Sequence, residues 1–196
     1  MTDNTFENIY KKIIRRLEQE LPESLAYHNA HHTEFVVEKA KTLANYENIK
    51  GRDLELIKVA ALYHDIGFLF NREDHENLGC QFASQDLHSS FLTQKELDKV
   101  CGMIIATKIP QRPQNILEKI VADADLFYLG TSKYKQFSQK LFIELKHFDP
   151  SLNEEKWLKI QIGFLSSHSY HTTYGKEVLE PVKRNTLNAL LADGEV

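Results

Sequence analysis

The sequence predicts an all-α protein. Apolar residues recur at steps of three and four in most windows, the period of one face of a helix. Strict alternation of apolar and polar residues, the mark of a half-buried strand, is nearly absent. Proline, glycine and capping pairs break the apolar stripes about once per helix length, which predicts about eight to ten helices.

Phe6, Ile9, Ile13, Leu17 and Leu21 form the first stripe, which Pro22 closes. Phe35, Val36, Ala40, Leu43 and Ala44 carry the second, ending near Gly51, and Leu54, Ile57, Ala61 and Leu62 carry the third as far as Gly67. Residues 68–74 read as a loop of mixed polarity, and 76–87 as a short helix through Leu78, Phe82 and Ala83. Thr93 with Glu96 is a capping box for the next helix, which Pro110 and Pro113 terminate. Ile116, Ile120, Ala124 and Phe127 make another stripe, broken by Gly130. A helix over 134–147 reaches the Asp149-Pro150 turn. Ser151 with Glu154 reads as a second capping box, leading into Trp157, Ile160, Phe164 and Leu165. Residues 168–175 read as a polar loop, and Val182, Leu187, Leu190 and Leu191 as the face of the last helix.

The length, 196 residues, suits a single domain over 1–196, and an apolar fraction of 42% is that of a globular chain. A net charge of −4 gives no global attraction to nucleic acid or to an anionic membrane, so neither is expected as a partner. No apolar run approaches the ~20 residues that span a bilayer. The opening MTDNTFENIY lacks the charged-then-apolar layout of a signal peptide. Cys80 and Cys101 form no CxxC pair and read as core or surface thiols of a reduced protein. A cytoplasmic location is the expectation from these features. A helical surface is also compatible with a homodimer.

Three segments carry chemistry. Among nine histidines, three fall within Tyr27-His28-Asn29-Ala30-His31-His32-Thr33. If this stretch is helical, His28 and His32 share a face, four residues apart. The blander reading of any one of them is a solvated surface residue or a cap. The second segment, Leu62-Tyr63-His64-Asp65-Ile66-Gly67, ends an apolar run, so the His-Asp pair faces inward. An inward aspartate must be paired or metal-bound, since an isolated buried carboxylate is very costly. The third, Val121-Ala122-Asp123-Ala124-Asp125-Leu126, sets two acids into an apolar helical stripe. Residues two apart point about 200° apart on a helix, so only one of the two faces a shared ligand.

Two imidazoles and two carboxylates from three segments make a mixed N/O donor set. It suits one divalent transition metal (Mn, Fe, Ni, Co or Zn), and the absence of thiolates disfavours a structural zinc site. Such a set leaves positions for water and substrate.

In their order and separation, Tyr27-His28-Asn29 with His32-Thr33, then His64-Asp65-Ile66-Gly67, then Asp123-Ala124-Asp125-Leu126 resemble the HD superfamily of metal-dependent phosphohydrolases. The resemblance covers about residues 25–130, with 131–196 as helices packed on that core, where Trp157, Gln161, Phe164-Leu165 and Thr172-Thr173 resemble the tail of an uncharacterised bacterial branch. It implies a single compact HD-type helical domain. It also implies metal ligation by His32, His64, Asp65 and Asp125, with Asp123 as the alternative to Asp125. In binuclear members the aspartate of the pair bridges two metals, so a second metal is left open; His75 and His88 do not form a clear further ligand pair. His28 falls where the related cyclic-nucleotide phosphodiesterases carry the histidine that protonates the leaving oxygen. His75-Glu76 resembles the His-Glu pair that many members place over the substrate phosphate, and a histidine at a helix N-terminus can meet an anion there.

The expected activity is hydrolysis of a phosphate ester by a metal-activated water, with Asp65, His28, His75 and Glu76 as the catalytic set. The expected substrate is a nucleotide or another small phosphorylated metabolite. Two alternatives stand beside it: an oxygen-dependent di-iron enzyme, and a non-catalytic nucleotide-binding sensor that keeps its metal site.

Overall fold

The computed structural model describes residues 3–87 and 91–193. His88 lies outside them. Among the described residues there are nine α-helices and no strand. The helices are α1 (Asp3–Glu20), α2 (Ala30–Tyr46), α3 (Gly51–Tyr63), α4 (His75–Leu87), α5 (Gln94–Ile105), α6 (Ile116–Asp125), α7 (Tyr134–Phe148), α8 (Glu154–Ser167) and α9 (Glu180–Asp193). Short 3-10 turns, Ile66–Leu69 and Phe127–Gly130, follow α3 and α6, and a π-helical turn, Gly175–Leu179, leads into α9.

Helix α3 is the centre. Leu56, Ile57, Val59, Ala60, Ala61, Leu62 and Tyr63 are all buried, so it is apolar around most of its circumference rather than on one stripe. Helices α1, α2, α5 and α6 surround it, and α4 packs on α5 and on the first 3-10 turn. Burying side chains such as Leu43, Ile57, Leu62 and Met103 contributes roughly 1.5–3 kcal/mol each. This arrangement delivers the C-terminal end of α3, and with it His64-Asp65, into the interior. Phe142, Leu152 and Trp157 form a smaller satellite cluster joining α7 to α8.

Several boundaries differ from the expectation. Gly51 opens α3 at a φ of 59° rather than ending α2, which stops at Tyr46. Part of the 68–74 loop is the 3-10 turn after Asp65. The Thr93–Glu96 capping box is present. The Ser151–Glu154 box is not: Asn153 caps α8 instead, its Oδ1 accepting the Lys156 N–H at 2.9 Å. Asparagine is as good a cap as serine and sits directly before the helix. Helix resumes within the 168–175 loop, ahead of the π turn. Pro181 has no N–H to donate to the preceding turn, and the widened turn accompanies it. Leu187 and Leu190 pack on the core, but Val182 and Leu191 are exposed and the buried residue of α9 is Lys183.

Candidate metal centre

His32 lies in the first turn of α2. The helix starts at Ala30 because Asn29 caps it, its side chain accepting the N–H groups of His31 and His32 at 3.1 and 3.2 Å. His28 therefore precedes the helix and does not share a helical face with His32. A cap residue between the two breaks the periodicity on which that expectation rested. Their rings still meet edge to face, with centroids 5.9 Å apart.

His64 follows the last residue of α3. Its Nδ1–H donates to the Ala61 carbonyl at 2.8 Å, which leaves Nε2 as a lone pair turned inward. That atom is 3.4 Å from Nε2 of His32, 3.2 Å from Oδ2 of Asp65 and 3.6 Å from Oδ1 of Asp125. Nε2 of His32 is 3.1 Å from Oδ1 of Asp125 and 3.4 Å from Oδ2 of Asp65. His32, His64 and Asp125 each offer a ligand atom, all within 4.8 Å of one another. His32, His64 and Asp65 are buried, and Asp125, the last residue of α6, is partly exposed to a cavity.

The donor chemistry fits a divalent cation. Two imidazole nitrogens face each other beside two carboxylates, and Oδ2 of Asp65 is buried with no hydrogen-bond partner. Burial opposes ionisation of Asp65 and Asp125, yet the neighbouring histidines hold both carboxyls well below the usual carboxylate range. Converging ionised oxygens and imidazole nitrogens, taken out of water, form a donor set whose chemistry suits a divalent cation.

Asp123 is not part of this group. It is fully buried on another side of α6, where its carboxylate accepts the backbone N–H of His171 and Thr172 and the Thr172 hydroxyl, at 2.6 to 3.1 Å. It anchors the segment leading into α9. A Cβ on Gly175 would come within 2.5 Å of its Oδ2, so glycine is what allows this approach.

His75 opens α4 and faces the cluster, its Nε2 3.8 Å from Oδ1 of Asp65 and 3.5 Å from Glu76. Its Nδ1–H donates to the Arg72 carbonyl at 2.8 Å. Gly67 permits this closeness, since a Cβ there would collide with the backbone of His75. Phe68 lies between the two outer histidines, stacking on His28 with ring centroids 4.3 Å apart and meeting His75 at a tilt with centroids 4.2 Å apart. Glu76 is buried, with Lys108 3.8 Å from its Oε2.

One residue outside the motifs belongs here. Glu144 of α7 is fully buried and its Oε1 accepts Nδ1–H of His28 at 2.5 Å, while Oε2 accepts the backbone N–H groups of Tyr27 and His28 at 2.8 and 3.0 Å. Burial disfavours charge on His28, but the bond to Glu144 and the nearby Asp65 outweigh it and raise its pKa above the usual imidazole value. The signal in sequence was a lone acid inside the apolar run Leu141, Phe142, Ile143, Leu145.

His28, Asp65, His75, Glu76 and Asp125 open onto a cavity of about 470 Å³ whose far wall is built by α7 and α8. Lys108 lines it; Arg112 and Lys133 do not. Tyr170 is core, its hydroxyl donating to the Leu126 carbonyl at 3.0 Å, and His147 is exposed.

A helical protein with this His/Asp cluster at the mouth of a cavity has the donor set of a candidate metal centre. The chain belongs to the HD domain family, whose model matches residues 29–128 and so takes in His32, His64, Asp65 and Asp125. HD domains bind divalent metals and are in general metal-dependent hydrolases. No curated protein and no solved structure matches the chain. No helix among the described residues is long and apolar enough to cross a membrane.

Proposed function

We propose that this protein is a metal-dependent phosphohydrolase acting on a small phosphate ester such as a nucleotide. The observation that carries the reading is the convergence of His32, His64, Asp65 and Asp125 at the edge of a cavity large enough for a small molecule. These four residues would hold one divalent metal, Mn, Fe, Ni, Co or Zn. When bound, that ion polarises a phosphoryl oxygen and acidifies water at the site.

The chain's own groups then divide the remaining work. Glu144 fixes the His28 tautomer by taking its Nδ1–H, so Nε2 is the atom that serves the cavity. With its pKa raised by the bond to that carboxylate, His28 gives a proton from Nε2 to the leaving oxygen. His75, positioned by Phe68 and the Arg72 carbonyl, hydrogen-bonds a phosphoryl oxygen beside Asp65. Lys108 at the rim adds a positive charge next to Glu76.

The test is phosphate release from a panel of nucleotides and generic phosphate esters with added manganese, nickel or cobalt, with and without chelator, beside His64→Ala. Turnover that chelator and the substitution both abolish supports the proposal. Full activity in His64→Ala, or no turnover with any metal, overturns it.

A further inference from the structure

The metal cluster occupies only one side of the cavity. The opposite wall, from α7 and α8, carries no charged residue among the described residues that line it, and Lys108, the one lysine or arginine lining the cavity, stands on the metal side beside Glu76. The far wall is built from large apolar surfaces, with Leu141 and Leu145 on α7 and Trp157, Ile160 and Phe164 on α8. A second phosphate or a polyhydroxylated sugar placed against it would lose water without gaining partners, a cost of several kcal/mol for a charged group.

Besides the Trp157 indole N–H, three polar side chains interrupt this wall, and they largely satisfy one another. The hydroxyls of Tyr134 and Ser138 both donate to Oε1 of Gln161, at 2.8 and 2.6 Å. With its carbonyl oxygen accepting twice, the Gln161 amide is held in one orientation, and its amino group is the donor left over. A ligand reaching this wall meets an apolar slot in which the Gln161 amino group is a fixed hydrogen-bond donor. Such a site rejects compounds lacking the matching acceptor more strongly than it rejects differences in size.

Resting on the phosphohydrolase reading of the same site, we infer that the substrate is a phosphate ester whose organic part is an uncharged, planar apolar ring system carrying a hydrogen-bond acceptor, with Gln161 as the residue that selects for the acceptor. Sugar phosphates that carry no such ring, and inorganic polyphosphates, fall outside this class. A single ring or fused ring pair presents its faces to Trp157 and Phe164, and its acceptor to Nε2 of Gln161.

Two readouts test this, one of them independent of turnover. Trp157 is the only tryptophan in the chain and lines the slot, so its fluorescence reports ligands there. In the manganese-supplemented protein, benzylphosphonate should bind at least about tenfold more tightly than methylphosphonate and change Trp157 emission. Ile160 is 47% exposed, so Ile160→Glu should fold, and it should weaken benzylphosphonate while leaving methylphosphonate unchanged. In turnover, kcat/KM for 4-acetylphenyl phosphate is divided by that for 4-isopropylphenyl phosphate, in the native protein and in Gln161→Leu. Leaving-group differences cancel between the two proteins, and the ratio should fall about five- to tenfold in the variant. Equal affinity for the two phosphonates, or an unchanged ratio in Gln161→Leu, overturns the inference while leaving the hydrolase reading intact. Selective benzylphosphonate binding that Ile160→Glu abolishes, with no ester hydrolysed, supports the slot and overturns the hydrolase reading instead.

Discussion

Glu144 lies 116 positions from His28 in the chain, yet it takes the imidazole Nδ1–H and closes both backbone N–H groups of the Tyr27-His28 turn. No stretch of sequence holds both partners, so periodicity and motif spacing pointed to His28 and missed the carboxylate that positions it. Glu144→Gln keeps most of the volume and one acceptor but removes the charge. It should lower kcat about 10–100-fold with KM and bound metal nearly unchanged, the range for loss of a partner that orients an active group. Steady-state kinetics beside metal analysis check this; a variant that loses metal would place Glu144 among the structural supports of the cluster instead. Asp123 and Asp125 teach the same lesson at shorter range. Helical geometry said that only one of them could face a ligand, but the choice depended on the His171-Thr172 backbone, which captures Asp123 from 48 to 49 residues away.

At the scale of elements, the capping pairs were readable where the cap residue was unambiguous, as with Thr93 and Glu96. They were misread where two residues competed, as with Ser151 and Asn153. The His64-Asp65-Ile66-Gly67 motif has a structural logic of its own. It ends α3, turns through a 3-10 step and lets α4 begin directly against that turn, because Gly67 has no Cβ to meet the backbone of His75. Gly67→Ala should therefore displace the start of α4 or destabilise the fold by about 1–3 kcal/mol, as forced overpacking does. Chemical denaturation gives the magnitude. An altered His75 ring environment in NMR, with metal content preserved, would show that α4 rather than the metal cluster moves.

Across the whole molecule, the helical architecture was legible because most helices bury one clear face and the central α3 is buried around most of its circumference. The C-terminal end was less so. There the buried residue of α9 is a charged one: Lys183 lies 3.0 Å from Glu180 and donates to Nδ1 of His168 at 3.3 Å as well as to its carbonyl. An amphipathic pattern cannot reveal a helix held by a lysine. Burial, and next the charge of Lys183, push the His168 pKa down to about 3 from its ordinary 6.5. The unfolded chain thus takes up a proton near the ordinary value, whereas the folded one does so only near the lower value. Between the two, acid favours unfolding, and this stabilising contribution is complete above the upper value and lost as pH falls toward the lower. His168→Asn should remove up to about 1.4 kcal/mol per pH unit from the slope of stability in that window. Urea titrations of both proteins between neutral pH and mild acid check it, and parallel slopes would contradict it.

In the proposed reading His32, His64, Asp65 and Asp125 hold a metal while Asp123 holds the chain. The most direct measurement is the metal content of protein purified without chelator, compared with Asp125→Ala and Asp123→Ala. About one equivalent of a divalent transition metal is expected in the native protein, little or none in Asp125→Ala, and a retained metal with lowered thermal stability in Asp123→Ala. Full metal in Asp125→Ala, or its loss in Asp123→Ala from a protein that is still folded, would contradict it.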